Sequence, residues 1–395
     1  MIPRLTKTLA QLAPHSLLRI SADREKARAG GLDIIELAMG NPDLPPPGRI
    51  VAKLCEIAKR EPLTHRYSSV RGSAEFRRAA ASWYMRKFGV KLDPDSEVLP
   101  LIGSKEGLAH LYFAYCSPGD YVLATTPAYP SHHDAVRLTG AEPRFMPISE
   151  ENDFLPDFGK IPRKTADRAR MLILNYPNNP TGAVLRGDAV FREALKFAAK
   201  RKMIIAHDFT YSEITFDGYK APSFLAAPGA KKAGIEYHSL SKTYCVPGWR
   251  VGFAAGNAEI ISGLAKMKSF VDYGVPAFIL KAAAFALEGP DDCVRDTVKI
   301  YQSRRDCLVG SFRAVGWNLP SPKGSMYVWA RLPEKAEKMG AEMFSRRLLL
   351  EHGVCVAPGT AFGPGGEGHV RFSLVSGEAR IRKAAARAAV FLKRL

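Results

Sequence analysis

Three short apolar runs punctuate the middle of the chain, and each one ends in polar residues. Residues 121–124 (Tyr-Val-Leu-Ala) lead into Thr125-Thr126-Pro127, residues 171–174 (Met-Leu-Ile-Leu) into Asn175, and residues 203–206 (Met-Ile-Ile-Ala) into His207-Asp208. Continuous apolar runs of this length predict strands buried on both faces. Between the second and third, residues 188–202 place Val190, Phe191, Leu195, Phe197 and Ala198 at helical spacing. Strands alternating with such helices predict an α/β fold: a large three-layer domain whose mostly parallel sheet is covered on both faces. Functional groups in these sheets gather beyond the carboxyl ends of the strands. Residues 175–182 and 208–211 therefore mark a candidate site.

After about Gly289 the texture changes. Residues 291–315 predict a long helix, 325–330 a strand, 335–352 a helix, and 354–357 with 369–374 a strand pair, before a basic closing helix. This pattern reads as a smaller α+β domain. The expected division is 1–45 for an N-terminal arm and part of the small domain, 46–289 for the large domain, and 290–395 for the small one. Pro-rich residues 41–48 form the expected crossing between them.

Composition narrows the classes without choosing among them. Hydrophobic residues at 46% and charged residues at 24% are ordinary for a globular chain. No apolar run approaches the roughly 18–20 residues of a membrane span. Residues 1–18 lack the pattern of an export signal. The six cysteines are scattered, which argues against a zinc ribbon or a CxxC redox motif and suits a reducing cytoplasm. Lys and Arg total 57 against 39 Asp and Glu, a formal net charge of +18. Without a basic tail or an aromatic-interleaved basic stripe, a solvated basic surface is the expected reading, and neither nucleic acid nor membrane is an expected partner.

The chemistry concentrates in Ser239-Leu240-Ser241-Lys242-Thr243-Tyr244-Cys245-Val246-Pro247-Gly248-Trp249-Arg250-Val251-Gly252. A lysine among small hydroxyl residues can form a Schiff base with a carbonyl cofactor, while the serines and Arg250 bind a phosphate dianion. Alone, the pattern is equally that of a surface lysine. Asn175-Tyr176-Pro177-Asn178-Asn179-Pro180-Thr181-Gly182 follows a strand and by itself signals only a turn. Asp208-Phe209-Thr210-Tyr211 follows another strand, where an aspartate serves as a helix N-cap or holds a ring nitrogen protonated. Gly103-Ser104-Lys105-Glu106-Gly107 precedes an apolar helix, so the amides of Ser104 and Lys105 lie where an anion is favoured.

Together these segments, with Ala38-Met39-Gly40-Asn41-Pro42-Asp43 and Arg371-Phe372-Ser373, resemble in order the class I/II aminotransferases, fold-type-I enzymes that use pyridoxal 5′-phosphate. The resemblance implies that Lys242 binds the cofactor covalently and then moves the proton at the substrate Cα. Asp208 would pair with the pyridine nitrogen, and Asn179 and Tyr211 with the 3′-oxygen. Tyr129 would stack on the ring, although it also reads as a core tyrosine. Phosphate binding falls to Ser239, Ser241, Arg250 and the amides of Ser104 and Lys105. Tyr67 would reach the phosphate of a neighbouring subunit, which implies a homodimer with shared active sites. Arg371, Asn179 and the Gly40 backbone would hold the substrate carboxylate. His132-His133 and Cys355 lack a third ligand at suitable spacing, so no metal is expected.

Residues 102–110 and 323–329 look most like the LL-diaminopimelate aminotransferase branch, which includes alanine aminotransferases. The implied reaction moves an amino group from an amino acid, with LL-diaminopimelate first choice, to 2-oxoglutarate by a ping-pong mechanism. Alanine or aspartate aminotransferases are the alternatives, followed by a lyase on the same fold. Residues 269–276 contain no arginine, which argues against aspartate, whose distal carboxylate needs a cationic partner.

Overall fold

The computed structural model describes residues 4–10, 12 and 16–395, so the stretch read for an export signal lies partly outside it. Among the described residues the strands are β1 (Ile35–Glu36), β2 (Val98–Leu101), β3 (Tyr121–Thr126), β4 (Glu142–Pro147), β5 (Ala169–Leu174) and β6 (Ile204–Asp208). They continue with β7 (Gly234–Ser239), β8 (Gly252–Gly256), β9 (Tyr327–Arg331), β10 (Val354–Cys355), β11 (Ala357–Pro358) and β12 (His369–Ser373).

Seven of them form one sheet in the order β2-β8-β7-β6-β5-β3-β4. Only β8 runs against its neighbours. Side chains alternate between two separate cores, as the period of a strand requires. Val122, Ile173 and Ala206 face one core, whereas Leu123, Leu172, Leu174 and Ile205 face the other. The first core is closed by helix α1 (Ser104–Tyr115) and helix α2 (Ala258–Val271), through residues such as Leu108, Leu111, Ile261 and Leu264. Helices Gly48–Arg60, Ala74–Phe88, Ala189–Ala199 and Ala277–Glu288 supply the second. Both faces of the sheet are thus apolar, as a mostly parallel sheet covered on either side requires.

A third core gathers Tyr301, Phe312, Trp317, Val328, Phe372 and Ile381 around β9, β11 and β12. Helix α3 (Asp292–Ala314) and helix Glu378–Lys393 cover it. Ile35 and Leu37 belong to this core as well, and β1 pairs in parallel with β10. The segment after β1 is fastened to the same unit by Asp43, which receives both guanidinium nitrogens of Arg304 at 2.7 and 2.9 Å.

Three expectations need adjusting here. The helix read over 335–352 is a 3-10 stretch, Glu334–Met339, followed by helix Ala341–His352. Gly340 between them sits at φ 76°, a left-handed conformation that no helix continues through. The strand read from 325 begins at Tyr327, because Ser325 also has a positive φ of 66°. Finally, the strand read over 354–357 splits: β10 joins β1, and only β11 pairs with β12. Among the described residues, no helix is long and apolar enough to cross a membrane.

Candidate active site

The carboxyl ends of β5, β6 and β7 deliver Asn175, Asp208 and Ser239 to one place. There they border a cavity of about 310 Å³, also lined by Gly40, Ser104, Lys105, Tyr129, Asn179, Tyr211, Lys242, Arg250 and Arg371. The sequence expectation for the site thus converges, with two exceptions. Ser241 is buried in the short helix Leu240–Thr243 outside the lining. Tyr67 is 89% exposed and packs its ring on Tyr273, centroids 5.1 Å apart, beside a different surface cavity.

Lys242 donates from Nζ to the Gly40 carbonyl at 2.8 Å. Burial pushes its amine below the ordinary lysine value, and the nearby guanidinium groups of Arg371 and Arg250 push the same way. A lowered amine carries more of the uncharged form that a nucleophile or base requires.

At one end of the cavity, α1 begins at Ser104, and its first N–H groups have no partner within the helix. Arg250 lies over this end, with Nη1 on the Pro247 carbonyl at 3.0 Å. A side chain at position 103 would come within 2.5 Å of Arg250 Nη2, so glycine is needed for that approach. Helix amides, a serine and a guanidinium make a phosphate cradle.

At the other end Arg371 is 3% exposed on β12. Its Nη1 donates to Asn179 Oδ1 at 2.8 Å and its Nη2 to the Ala38 carbonyl at 2.6 Å, while Nε has no protein acceptor. Ala38 is presented by Glu36, whose Oε1 accepts from the Ala38 and Met39 amides at 2.7 and 3.0 Å. A buried guanidinium with an uncommitted N–H suits a carboxylate.

Asp208 ends a strand and is followed by a turn rather than a helix, so the N-cap reading does not apply. Its Oδ2 lies 2.9 Å from His132 Nε2, and its Oδ1 accepts from the Thr210 amide at 3.3 Å. Asn175 ties this strand end to the neighbouring loop: its Nδ2 donates to the Asp208 carbonyl at 2.7 Å, and its Oδ1 accepts from the Asn179 amide at 2.9 Å. The sequence places Asn175 in the candidate site without giving it a role, and it offers His132 only as a metal ligand.

Behind β6 lies a second polar group that the sequence reading missed. Glu236, fully buried on β7, accepts from Ser223 Oγ and the Phe224 amide, both at 2.6 Å, and from Tyr84. His207 Nδ1 reaches the same carboxylate at 2.7 Å, while its Nε2 faces the Tyr176 amide at 3.2 Å. Burial would raise the Glu236 carboxyl, but His207, His238 and Ser223 together bring it below the ordinary 4.5. Its stabilising contribution is therefore present above about pH 4.5 and is lost as the pH falls below that value. Glu236→Gln is expected to lower unfolding free energy at neutral pH by about 3–5 kcal/mol, because a buried charge network loses one member. Urea titrations at pH 7 and pH 4 test this; an equal deficit at both values contradicts it.

Among the described residues, Glu106, His110 and Asp272 also come together as possible metal ligands. The ammonium of fully buried Lys268 already lies between the two carboxylates, 3.1 Å from Glu106 and 2.9 Å from Asp272. A fixed cation does there what a metal ion would do.

Comparison with known proteins agrees with this geometry. Residues 32–387 match the family model for aminotransferase class I and II. The chain is 46% identical to the LL-diaminopimelate aminotransferase of Dehalococcoides mccartyi strain 195, over 98% of this chain and 99% of that one. It is 43% identical to the glutamate-pyruvate aminotransferase AlaC of Escherichia coli K12, over 94% and 90% respectively. The substrate-bound BacF structure from Bacillus subtilis superposes with a TM-score of 0.94 at 36% identity, covering 99% of this chain and 98% of that one. The donor set fits pyridoxal 5′-phosphate: a depressed lysine amine, an anion cradle at a helix N-terminus, and a carboxylate at the far side of the cavity. The chain belongs to the class I and II aminotransferases, which depend on pyridoxal 5′-phosphate.

Proposed function

We propose that the protein moves the amino group of LL-diaminopimelate to 2-oxoglutarate in two half-reactions, with alanine as the second choice of donor. The observation that carries the substrate reading is the distribution of arginines. Among the described residues, the arginines that line the cavity are Arg250 and Arg371, each with a role already assigned. Arg71 donates to the Asp95 carbonyl at 2.6 Å. A bare distal carboxylate such as that of aspartate would therefore be desolvated without an arginine, whereas LL-diaminopimelate brings its own distal ammonium. The 46% identical relative bearing that name supports the same choice.

In this reading Arg371, with Asn179 and the Gly40 backbone, fixes the α-carboxylate and thereby the orientation of Cα. Lys242 supplies the amine that attaches the cofactor and later carries the proton from Cα. Pyridoxal 5′-phosphate, when bound, supplies the carbonyl that takes the amino group and the ring that accepts the electron pair. Asp208, steadied by His132, would face the ring nitrogen; Asn179 and Tyr211 would face the 3′-oxygen, and Tyr129 the ring. Ser104, Lys105, Ser239 and Arg250 would hold the phosphate.

The same proposal includes a homodimer, in which Tyr67 serves the partner's phosphate. Its support is an exposed aromatic surface: Tyr67, Tyr273 at 62% and Phe270 at 81% exposure. It also includes the division into 1–45, 46–289 and 290–395, and a cytoplasmic location, which the free cysteines favour.

The test is kcat/KM for aspartate, alanine and LL-diaminopimelate with 2-oxoglutarate. We expect LL-diaminopimelate to lead and aspartate to trail by at least roughly tenfold, the equivalent of about 1.4 kcal/mol in transition-state binding. A preference for aspartate overturns the assignment.

A further inference from the structure

Of the tyrosines that line the cavity among the described residues, the roles given above leave Tyr327 without a task. Tyr327 opens β9, is 3% exposed, and lines the cavity. Its ring lies against the Arg371 guanidinium, 3.9 Å from Cζ to the centroid, with Phe362 on the same guanidinium at 4.5 Å. Its hydroxyl is 3.0 Å from that of Tyr211. The hydroxyl also fills the space beside Gly40, where a Cβ would meet it at 1.9 Å. One side chain thus touches the carboxylate arginine, the phenol assigned to the cofactor and the segment whose Gly40 carbonyl receives Lys242.

A phenylalanine would suffice for the ring contacts, and burying a hydroxyl is costly unless it has a partner. Arg371, Lys242, Tyr211 and Tyr129 are the charged and titratable groups that face Tyr327. Burial would raise its phenol, but the two cations bring it below the ordinary tyrosine value. Tyr211 is pushed well above that value, mainly by burial and then by Tyr327. The two hydroxyls, 3.0 Å apart, share a hydrogen bond that fixes where the Tyr211 oxygen sits in the cavity.

We propose that Tyr327 is a positioning residue with two separable parts: its ring holds Arg371 flat for the substrate carboxylate, and its hydroxyl holds the Tyr211 phenol in place for the cofactor's 3′-oxygen. The inference rests on the roles assigned above to Lys242, Tyr211 and Arg371. It also makes Tyr327 the connection between the two ends of the site.

The experiment compares holoenzyme wild type, Tyr327→Phe and Tyr327→Leu by two readouts. The first is the pH midpoint of the bound cofactor's visible absorbance without substrate. The second is the Kd for propionate, a bare carboxylate, read from the same absorbance. Tyr327→Phe is expected to raise the midpoint by about one unit while leaving the propionate Kd within roughly threefold. Tyr327→Leu is expected to raise the midpoint similarly and to weaken propionate roughly tenfold, since the cation–ring contact is gone. An unchanged midpoint in both variants overturns the hydroxyl's part, and an unchanged propionate Kd in the Leu variant overturns the ring's part. If propionate binds wild type no better than Arg371→Ala, the assignment of Arg371 falls and the proposal falls with it. A normal wild type with unresponsive Tyr327 variants rejects the proposal alone. Should the Leu variant not fold, the isosteric Phe variant still decides the hydroxyl's part.

Discussion

Lys242→Ala is expected to reduce amino-group transfer by roughly 10⁴-fold or more while leaving the protein folded and able to hold the cofactor non-covalently. The magnitude follows from losing two functions with one side chain: the nucleophile that attaches the cofactor and the base that carries the Cα proton. The fold should survive because the lysine's hydrogen bond in the structure is to a single carbonyl, that of Gly40. The phosphate cradle, built from α1 and Arg250, does not depend on it. Borohydride reduction followed by peptide mapping checks the assignment independently of rate. In wild type the adduct should sit on Lys242; an adduct on another lysine removes the basis for the whole site.

Arg371→Ala should lower kcat/KM by roughly 10²–10³-fold, and by the same factor for every amino donor. The equality is the informative part, since every amino acid presents the same α-carboxylate whatever its side chain. Asn179 Oδ1 and the Ala38 carbonyl lose their donor in this variant, which adds to the loss. Arg371→Lys should recover little, because an ammonium cannot reproduce the flat fork that spans Asn179, Ala38 and a carboxylate. Steady-state kinetics with three donors of different side chain suffice. A loss confined to one donor would place Arg371 at the distal group instead.

Much of the molecule was legible because its signals are local. Apolar runs ending in polar residues located β3, β5 and β6, and the carboxyl-end rule then pointed to Asn175 and Asp208 before any family was considered. The lysine segment and its arginine were likewise readable from order along the chain. What escaped depends on strand neighbours. Glu236 and His207 meet because β6 and β7 are adjacent with those two residues in register, a fact that neither segment carries by itself. His132 reaches Asp208 across the carboxyl ends of β3 and β6, with β5 between them. Tyr327 had been noticed only as part of a branch pattern, since a lone tyrosine at the start of a strand is normally core. Gly340 was visible, but a glycine within a helical pattern is tolerated often enough that only its backbone angle identifies a break.

The pairing of β1 with β10 bears on the order in which the protein is made. Ile35 and Val354 are partners separated by about 320 residues, which a ribosome adding about 5–20 residues per second needs roughly 15–60 s to synthesise. Throughout that interval the segment bearing Ala38 and Gly40 has emerged but has no strand to join and no Arg371 to receive. The seven-stranded sheet, by contrast, is complete once Gly256 has been added, and Ser104, Asp208, Lys242 and Arg250 are all in place by then. The growing chain therefore acquires its cofactor cradle well before its substrate clamp, and the segment from Ile35 to Gly40 is among the last to settle.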